Sequence, residues 1–131
     1  MLVEEIMTPL EKLIIVPQMS PVREALQKMR LHQVRSVVVD KNGPHGAYGL
    51  VTYKNILQSI IAEEGDIDLL SVYDIAASPS ISVSAKLDIK YAARMMVQGS
   101  IKRLLVIDNN ELKGMLTMTD IITILMDEVE K

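Results

Sequence analysis

An α/β fold (α+β by some schemes) is predicted for this chain, made of two β-α-β-β-α units related by a pseudo-two-fold axis and packed through their sheets. Three observations lead to it. The sequence repeats itself, once from about Val3 to Ile61 and again from about Val72 to Asp127. Within each copy the hydrophobic period switches from a helical spacing to short continuous apolar runs. Each half, at roughly 60 residues, would bury only a marginal core alone, so the copies are expected to pack face to face. The boundary is placed between 1–65 and 66–131, together forming one module.

The elements can be taken in order. A short apolar run, Leu13-Ile14-Ile15-Val16, opens the first copy and Ile81-Ser82-Val83 the second. Val22, Ala25, Leu26 and Met29 then fall at i, i+3, i+4 and i+7, and Ile89, Ala92, Ala93 and Met96 repeat that spacing 67 positions later. Such spacing puts one apolar stripe on a helix. Ser20-Pro21 reads as an N-cap followed by an N1 proline, and Ser84 as the candidate cap of the second helix. The runs Ser36-Val37-Val38-Val39-Asp40 and Leu104-Leu105-Val106-Ile107-Asp108 suit strands covered on both faces. A basic residue precedes each run: Arg35 in one copy, Arg103 in the other. Turns follow at Lys41-Asn42-Gly43-Pro44 and Asn109-Asn110. Gly49-Leu50-Val51-Thr52-Tyr53-Lys54-Asn55 and Gly114-Met115-Leu116-Thr117-Met118-Thr119-Asp120 then carry a strand into a helix, at an offset of 65. Glu63-Glu64-Gly65-Asp66 reads as a linker, and Leu69 to Ile75 as a short helix starting the second copy.

Composition narrows the function. At 131 residues, 49% hydrophobic and 24% charged, the chain has the balance of a globular domain rather than a disordered one. With no cysteine, thiolate chemistry and disulfides are excluded. A net charge of −3 and the absence of a basic face argue against nucleic acid, and four Tyr with no Phe or Trp offer no stacking platform. No apolar run approaches the ~20 residues that span a bilayer, and Met1 to Pro9 lacks the basic start of a signal peptide. A cytoplasmic protein without membrane contact is expected. His32 and His45 are too few and too far apart for a metal site, and both read as structural or solvated. No nucleophile–base pair or carboxylate dyad stands out, so an enzyme is not expected.

In the order, spacing and duplication of these motifs the chain resembles the CBS domain family, as a tandem pair (a Bateman module) without an attached enzyme or channel. The residues that carry the resemblance are Gly114 to Asp120, Arg35 and Arg103 before the central strands, and Met7-Thr8-Pro9 near the start. The resemblance implies a cleft between the sheets with two pseudo-equivalent sites for adenosine compounds: AMP, ADP, ATP or S-adenosylmethionine. Occupancy would be transmitted to a regulated partner protein, with no cofactor required. It also implies a homodimer formed through helix faces. The apolar excess on Ile56, Leu57, Ile60 and Ile61, and on Ile121, Ile122, Leu125 and Val129, fits that expectation.

Carried over residue by residue, the ligand-binding candidates are Thr117, Thr119 and Asp120 in the second copy and Thr52 and Asn55 in the first. A carboxylate such as Asp120 can accept from two adjacent ribose hydroxyls, as an acidic residue does in dinucleotide-binding folds. Asn55, a neutral amide, makes weaker contacts, so unequal sites are expected, the tighter at Asp120. Arg35, with Ser36 beside it, would serve phosphate at the Asp120 site, and Lys102 or Arg103 at the Asn55 site. Ile14, Ile15, Ser80 and Ile81 would line the adenine. Two other readings stay open. Thr117 and Asp120 form a capping-box pattern that helices use without any ligand, and the paired repeats could be a ligand-free dimerisation module.

Overall fold

The computed structural model describes residues 1–77 and 80–130. The chain folds into two compact units, one of Ile14–Ser80 and one of Met1–Leu13 together with the chain from Ile81 onward.

In the first of these units, β2 (Ile15–Val16) pairs parallel with β3 (Ser36–Val39), which pairs antiparallel with β4 (Gly49–Thr52), giving the order β2-β3-β4. Helix α1 (Val22–His32) is the crossover between the two parallel strands. Its Val22, Ala25 and Met29 are buried with Val16, Val37, Val39 and Val51 in one cluster, so the i, i+3, i+7 stripe is the core face. Every residue of β3 is buried, which explains its unbroken apolar character. After β4, α2 (Tyr53–Ile56) runs directly into a π-helical turn at Leu57–Ala62. The unit closes with α3 (Val72–Ile75), whose Val72 and Ile75 join the same cluster.

The other unit holds the strand order β1-β7-β6-β5, with β1 at Thr8–Pro9, β5 at Ser82–Val83, β6 at Arg103–Asp108 and β7 at Glu111–Thr117. Helices α4 (Ile89–Gly99) and α5 (Met118–Val129) complete it. Leu104, Leu116, Val106, Ala92, Met96 and Val3 form its core. Asn109 and Asn110 adopt φ of 53° and 60° between β6 and β7, the pair of left-handed residues that a two-residue hairpin turn needs.

The strand registers make the duplication physical. Val38 faces Ile15 and Leu105 faces Ser82, an offset of 105 − 38 = 67 on one strand and 82 − 15 = 67 on the other. Val37 faces Val51, and Leu104 faces Leu116. What the register also shows is an exchange of lead-in segments. Val3 is buried in the core built mainly by the second copy, and Thr8 and Pro9 pair with Met115 and Gly114. In the other unit Ala77 bridges Leu50 of the first copy. Gly114 is required there: a Cβ would overlap the Thr8 carbonyl oxygen and approach Met7 Sδ to 2.8 Å. At the matching Gly49 the nearest atom, the Ala77 oxygen, would be 3.3 Å away.

Four local readings are corrected. Helix α1 begins at Val22 with Pro21 as N-cap and no side-chain cap bond; the Ser20 carbonyl instead accepts from the Val72 N–H at 2.8 Å. Helix α4 is capped by Asp88, whose carboxylate accepts from Lys90 N–H at 3.0 Å, while Ser84 turns back to the Lys86 N–H. Residues 63–66 lie inside the Ile14–Ser80 unit rather than joining two units: Gly65 N–H donates to the Ser59 carbonyl, and Asp66 caps Asp68. The short helix expected from Leu69 starts at Val72, after a Ser71 N-cap.

Candidate functional site

Each copy presents the same local construction where its hairpin strand becomes a helix. In the second copy Thr117 ends β7 in extended geometry and caps α5. Its Oγ1 accepts from the Asp120 N–H at 3.1 Å, and Asp120 Oδ2 accepts from the Thr117 N–H at 2.8 Å. This reciprocal pair satisfies two N–H groups that the helix start would otherwise leave unpartnered. Only one carboxylate oxygen is engaged. Asp120 is half-buried and Thr119, one position before it, is exposed.

The first copy is built alike, with a capping box between Thr52 and Asn55. Thr52 N–H donates to Asn55 Oδ1 at 2.8 Å, and the Thr52 hydroxyl donates to the same oxygen at 3.0 Å. A third box, Ser71 with Asp74, has the same backbone contact at 2.9 Å and lies at the start of the four-residue α3. Capping geometry alone therefore does not mark a ligand site; what sets the Thr52 and Thr117 boxes apart is their place at the end of a duplicated hairpin.

The basic candidates fall into register in an unexpected way. Arg103 is the first residue of β6 and lies directly opposite Thr117, as Ser36 lies opposite Thr52. By the 67-residue offset, Ser36 + 67 = 103, so Arg103 corresponds to Ser36, and Arg35 corresponds to Lys102. Matching Arg35 with Arg103 is thus out by one position, and one position along a strand is the opposite face. Directly opposed residues share a face with Cβ atoms about 5 Å apart, so Arg103 flanks the Thr117 cap of its own copy. The Lys102 carbonyl accepts from the Met118 N–H at 2.9 Å. Arg35, Lys102 and Arg103 have no ion-pair partner among the described residues.

The apolar candidates divide. Ile14 packs on the core cluster with Val16, and its carbonyl accepts from the Val38 N–H. Ile15, half-buried, lies between them in the strand and so on the other face. The register equivalent of Ile15 is Ser82, an exposed residue that the sequence reading passed over although the 67-residue offset identifies it. Ile81 is exposed, with its carbonyl bonded to the Leu105 N–H, and Ser80 N–H donates to the Tyr48 carbonyl at 3.0 Å. Both histidines are exposed. Among the described residues no group of three or more His, Asp or Glu is placed to hold a metal ion, and no helix is long and apolar enough to cross a membrane.

Two β-α-β-β-α copies with matching register, each ending its hairpin in a threonine-led helix start, define a tandem pair of one regulatory-type domain. That domain is the CBS domain: its family model matches residues 3–62 and 72–127, and the chain belongs to this family. An uncharacterised protein of Methanopyrus kandleri is 31% identical over 111 residues, which are 80% of this chain and 55% of that protein, so the chain spans about half the length of this relative. Among solved structures, the hexameric CBS-CP12 protein from bloom-forming cyanobacteria is 29% identical, with a TM-score of 0.85 over 93% of this chain and 69% of that one. CBSX2 in complex with AMP is similar in fold, at 22% identity and a TM-score of 0.79 over 99% of this chain and 98% of that one.

Proposed function

We propose that the chain is a regulatory module that binds an adenosine-containing ligand (AMP, ADP, ATP or S-adenosylmethionine) and transmits its occupancy to a partner protein. The observation that carries this reading is Asp120. Its carboxylate is fixed by the Thr117 N–H through Oδ2, so Oδ1 is pre-positioned as an acceptor for ribose hydroxyls. Such charge-assisted bonds are roughly twice as strong as neutral ones. In this reading Arg35, with Ser36 beside it, and Lys102 or Arg103 serve phosphate, and Ile15, Ser80 and Ile81 contact the adenine. That these three cations have no ion-pair partner among the described residues supports a phosphate role, since a cation with no internal carboxylate is ready for an external anion. That CBSX2 is a protein of this fold with AMP bound supports the ligand class. The module is non-catalytic and cytoplasmic, and it needs no resident cofactor.

A homodimer belongs to the same proposal. Tyr53, Leu57 and Ile61 on the first copy's last helix and Ile122, Leu125, Met126 and Val129 on α5 are exposed, each by 42% or more. Apolar surface on that scale favours burial against a second copy. Calorimetry with AMP, ADP, ATP and S-adenosylmethionine tests the ligand. Dissociation constants at or below the high micromolar range for at least one support it, and no binding below millimolar to any of them overturns it. In the competing reading the repeats are a ligand-free interaction module, and Asp120→Ala then leaves partner binding intact.

A further inference from the structure

The hydrogen bonds that seat the two lead-in segments match one for one. Val3 N–H donates to the Leu87 carbonyl and Glu4 N–H to the Ala85 carbonyl, as Val72 N–H donates to the Ser20 carbonyl and Tyr73 N–H to the Gln18 carbonyl. The lead-ins are thus offset by 72 − 3 = 69 and the segments that receive them by 87 − 20 = 67. These offsets make Tyr73 the counterpart of Glu4, and Met19 the counterpart of Lys86. In one unit the two form an ion pair, Lys86 Nζ to Glu4 Oε1 at 2.7 Å. In the Ile14–Ser80 unit the same two places hold a methionine 78% exposed and a tyrosine 53% exposed, joined by Leu69 at 82%.

Exposed apolar residues scattered singly are ordinary on a surface. Met19, Leu69 and Tyr73 are not scattered: they line one groove of about 220 Å³. Small-molecule pockets usually offer ~300 Å³ or more, so this groove suits a protruding side chain. Methionine and tyrosine are enriched where proteins meet. Charge decides the kind of partner. Between Lys54 and Lys86 the chain carries Glu63, Glu64, Asp66, Asp68 and Asp74 and no Lys, Arg or His. Asp68 and Asp74 lie in the groove wall. Arg23 already takes both oxygens of Asp68. Asp74 holds the Ser71 N–H and hydroxyl through Oδ2 and has no ion-pair partner among the described residues. We infer that the groove is a docking surface for a segment of another protein that presents a large apolar side chain next to arginine or lysine. The apolar group enters between Met19, Leu69 and Tyr73, and the cation meets Asp74. A second copy of the chain does not fit this chemistry, since a two-fold contact would set the Asp68 and Asp74 patch against itself. The inference stands whichever ligand the chain binds, and it gives the proposed module a face for its partner.

The test is a titration of the isotope-labelled chain with a capped Arg-Leu-Arg-Leu-Arg peptide and, separately, with Glu-Leu-Glu-Leu-Glu, followed by methyl and amide resonances. Saturable shifts centred on Met19, Leu69 and Tyr73 are expected with the basic peptide, weakening as salt is added. The acidic peptide should bind roughly tenfold more weakly or not at all. The double variant Met19→Lys with Tyr73→Glu copies the Lys86–Glu4 pair into the groove and should abolish the shifts, with circular dichroism melts as the folding control. Should it fail to fold, Leu69→Lys, at the most exposed of the three positions, takes its place with the same expectation. No saturable shift at these residues with the basic peptide, equal binding of the acidic one, or unchanged binding to the folded variant overturns the inference. Shifts of the same three residues with chain concentration alone, no peptide present, assign the groove to a second copy and overturn it as well.

Discussion

The Thr8 carbonyl oxygen occupies the space that a Cβ on Gly114 would need. That contact is where β1, contributed by the start of the chain, is seated on β7 of the second copy. The glycine that opens the Gly114–Asp120 motif thus serves the exchange of lead-in segments, six residues from the carboxylate at the other end.

Gly114→Ala is expected to destabilise the chain by about 1–3 kcal/mol, the usual cost of inserting a methyl into a closed contact. Gly49→Ala should cost less, since its nearest neighbour would stand 3.3 Å away rather than overlap. Urea denaturation of the two variants side by side checks the order.

Leu104 and Leu116 face one another across β6 and β7, and both are fully buried. Replacing either with alanine should cost about 2–5 kcal/mol, which for a domain of modest stability approaches unfolding. Thermal melts followed by circular dichroism measure it.

Ser100 ends α4 at φ 52°, as Gln33 ends α1 at φ 56°. Left-handed residues at this position favour glycine. Ser100→Gly should stabilise by up to about 1 kcal/mol, seen as a raised melting temperature without change in ligand binding.

Asp108 accepts hydrogen bonds from Ser84 and from the Ala85 N–H, and these hold its carboxyl below the usual carboxylate range. Asp68, bonded by Arg23, and Asp88, bonded by the Lys90 N–H, are lowered as well. A depressed folded-state value means a contribution present above the unfolded value, near 3.9, and lost as pH falls through the folded one. Stability should therefore hold through neutral pH and drop below about pH 4. Asp108→Asn should flatten that acid drop, measured by denaturation at a series of pH values.

The repeats, the core stripes of α1 and α4 and the doubly covered central strands were legible because each rests on a local periodicity that the fold kept. Val22, Ala25 and Met29, and likewise Ala92 and Met96, are buried as their spacing requires. The lead-in exchange was not legible. Thr8–Pro9 is a two-residue strand with no period, and its pairing to Met115 and Gly114 is more than 100 residues distant in sequence. The cap of α4 was misassigned because Ser84 and Asp88 both suit a helix start, and only the backbone decides which N–H groups are orphaned. At the candidate site, the residues Thr52, Asn55, Thr117 and Asp120 were named from the motif. The extra contact from the Thr52 hydroxyl to Asn55 could not be, since it depends on the rotamers the two side chains take. The one-position shift that aligns Arg35 with Lys102 likewise came from strand register rather than from residue type.

The central claim is that an adenosine ligand is held at the Thr117–Asp120 helix start. Its most direct test is a titration of AMP into the isotope-labelled chain, followed by the backbone amide resonances. Saturable shifts centred on Thr117, Thr119 and Asp120, abolished in Asp120→Ala, are the predicted result. Saturable binding that leaves those three amides unmoved, or no saturable shift with any of the adenosine compounds, would contradict the account.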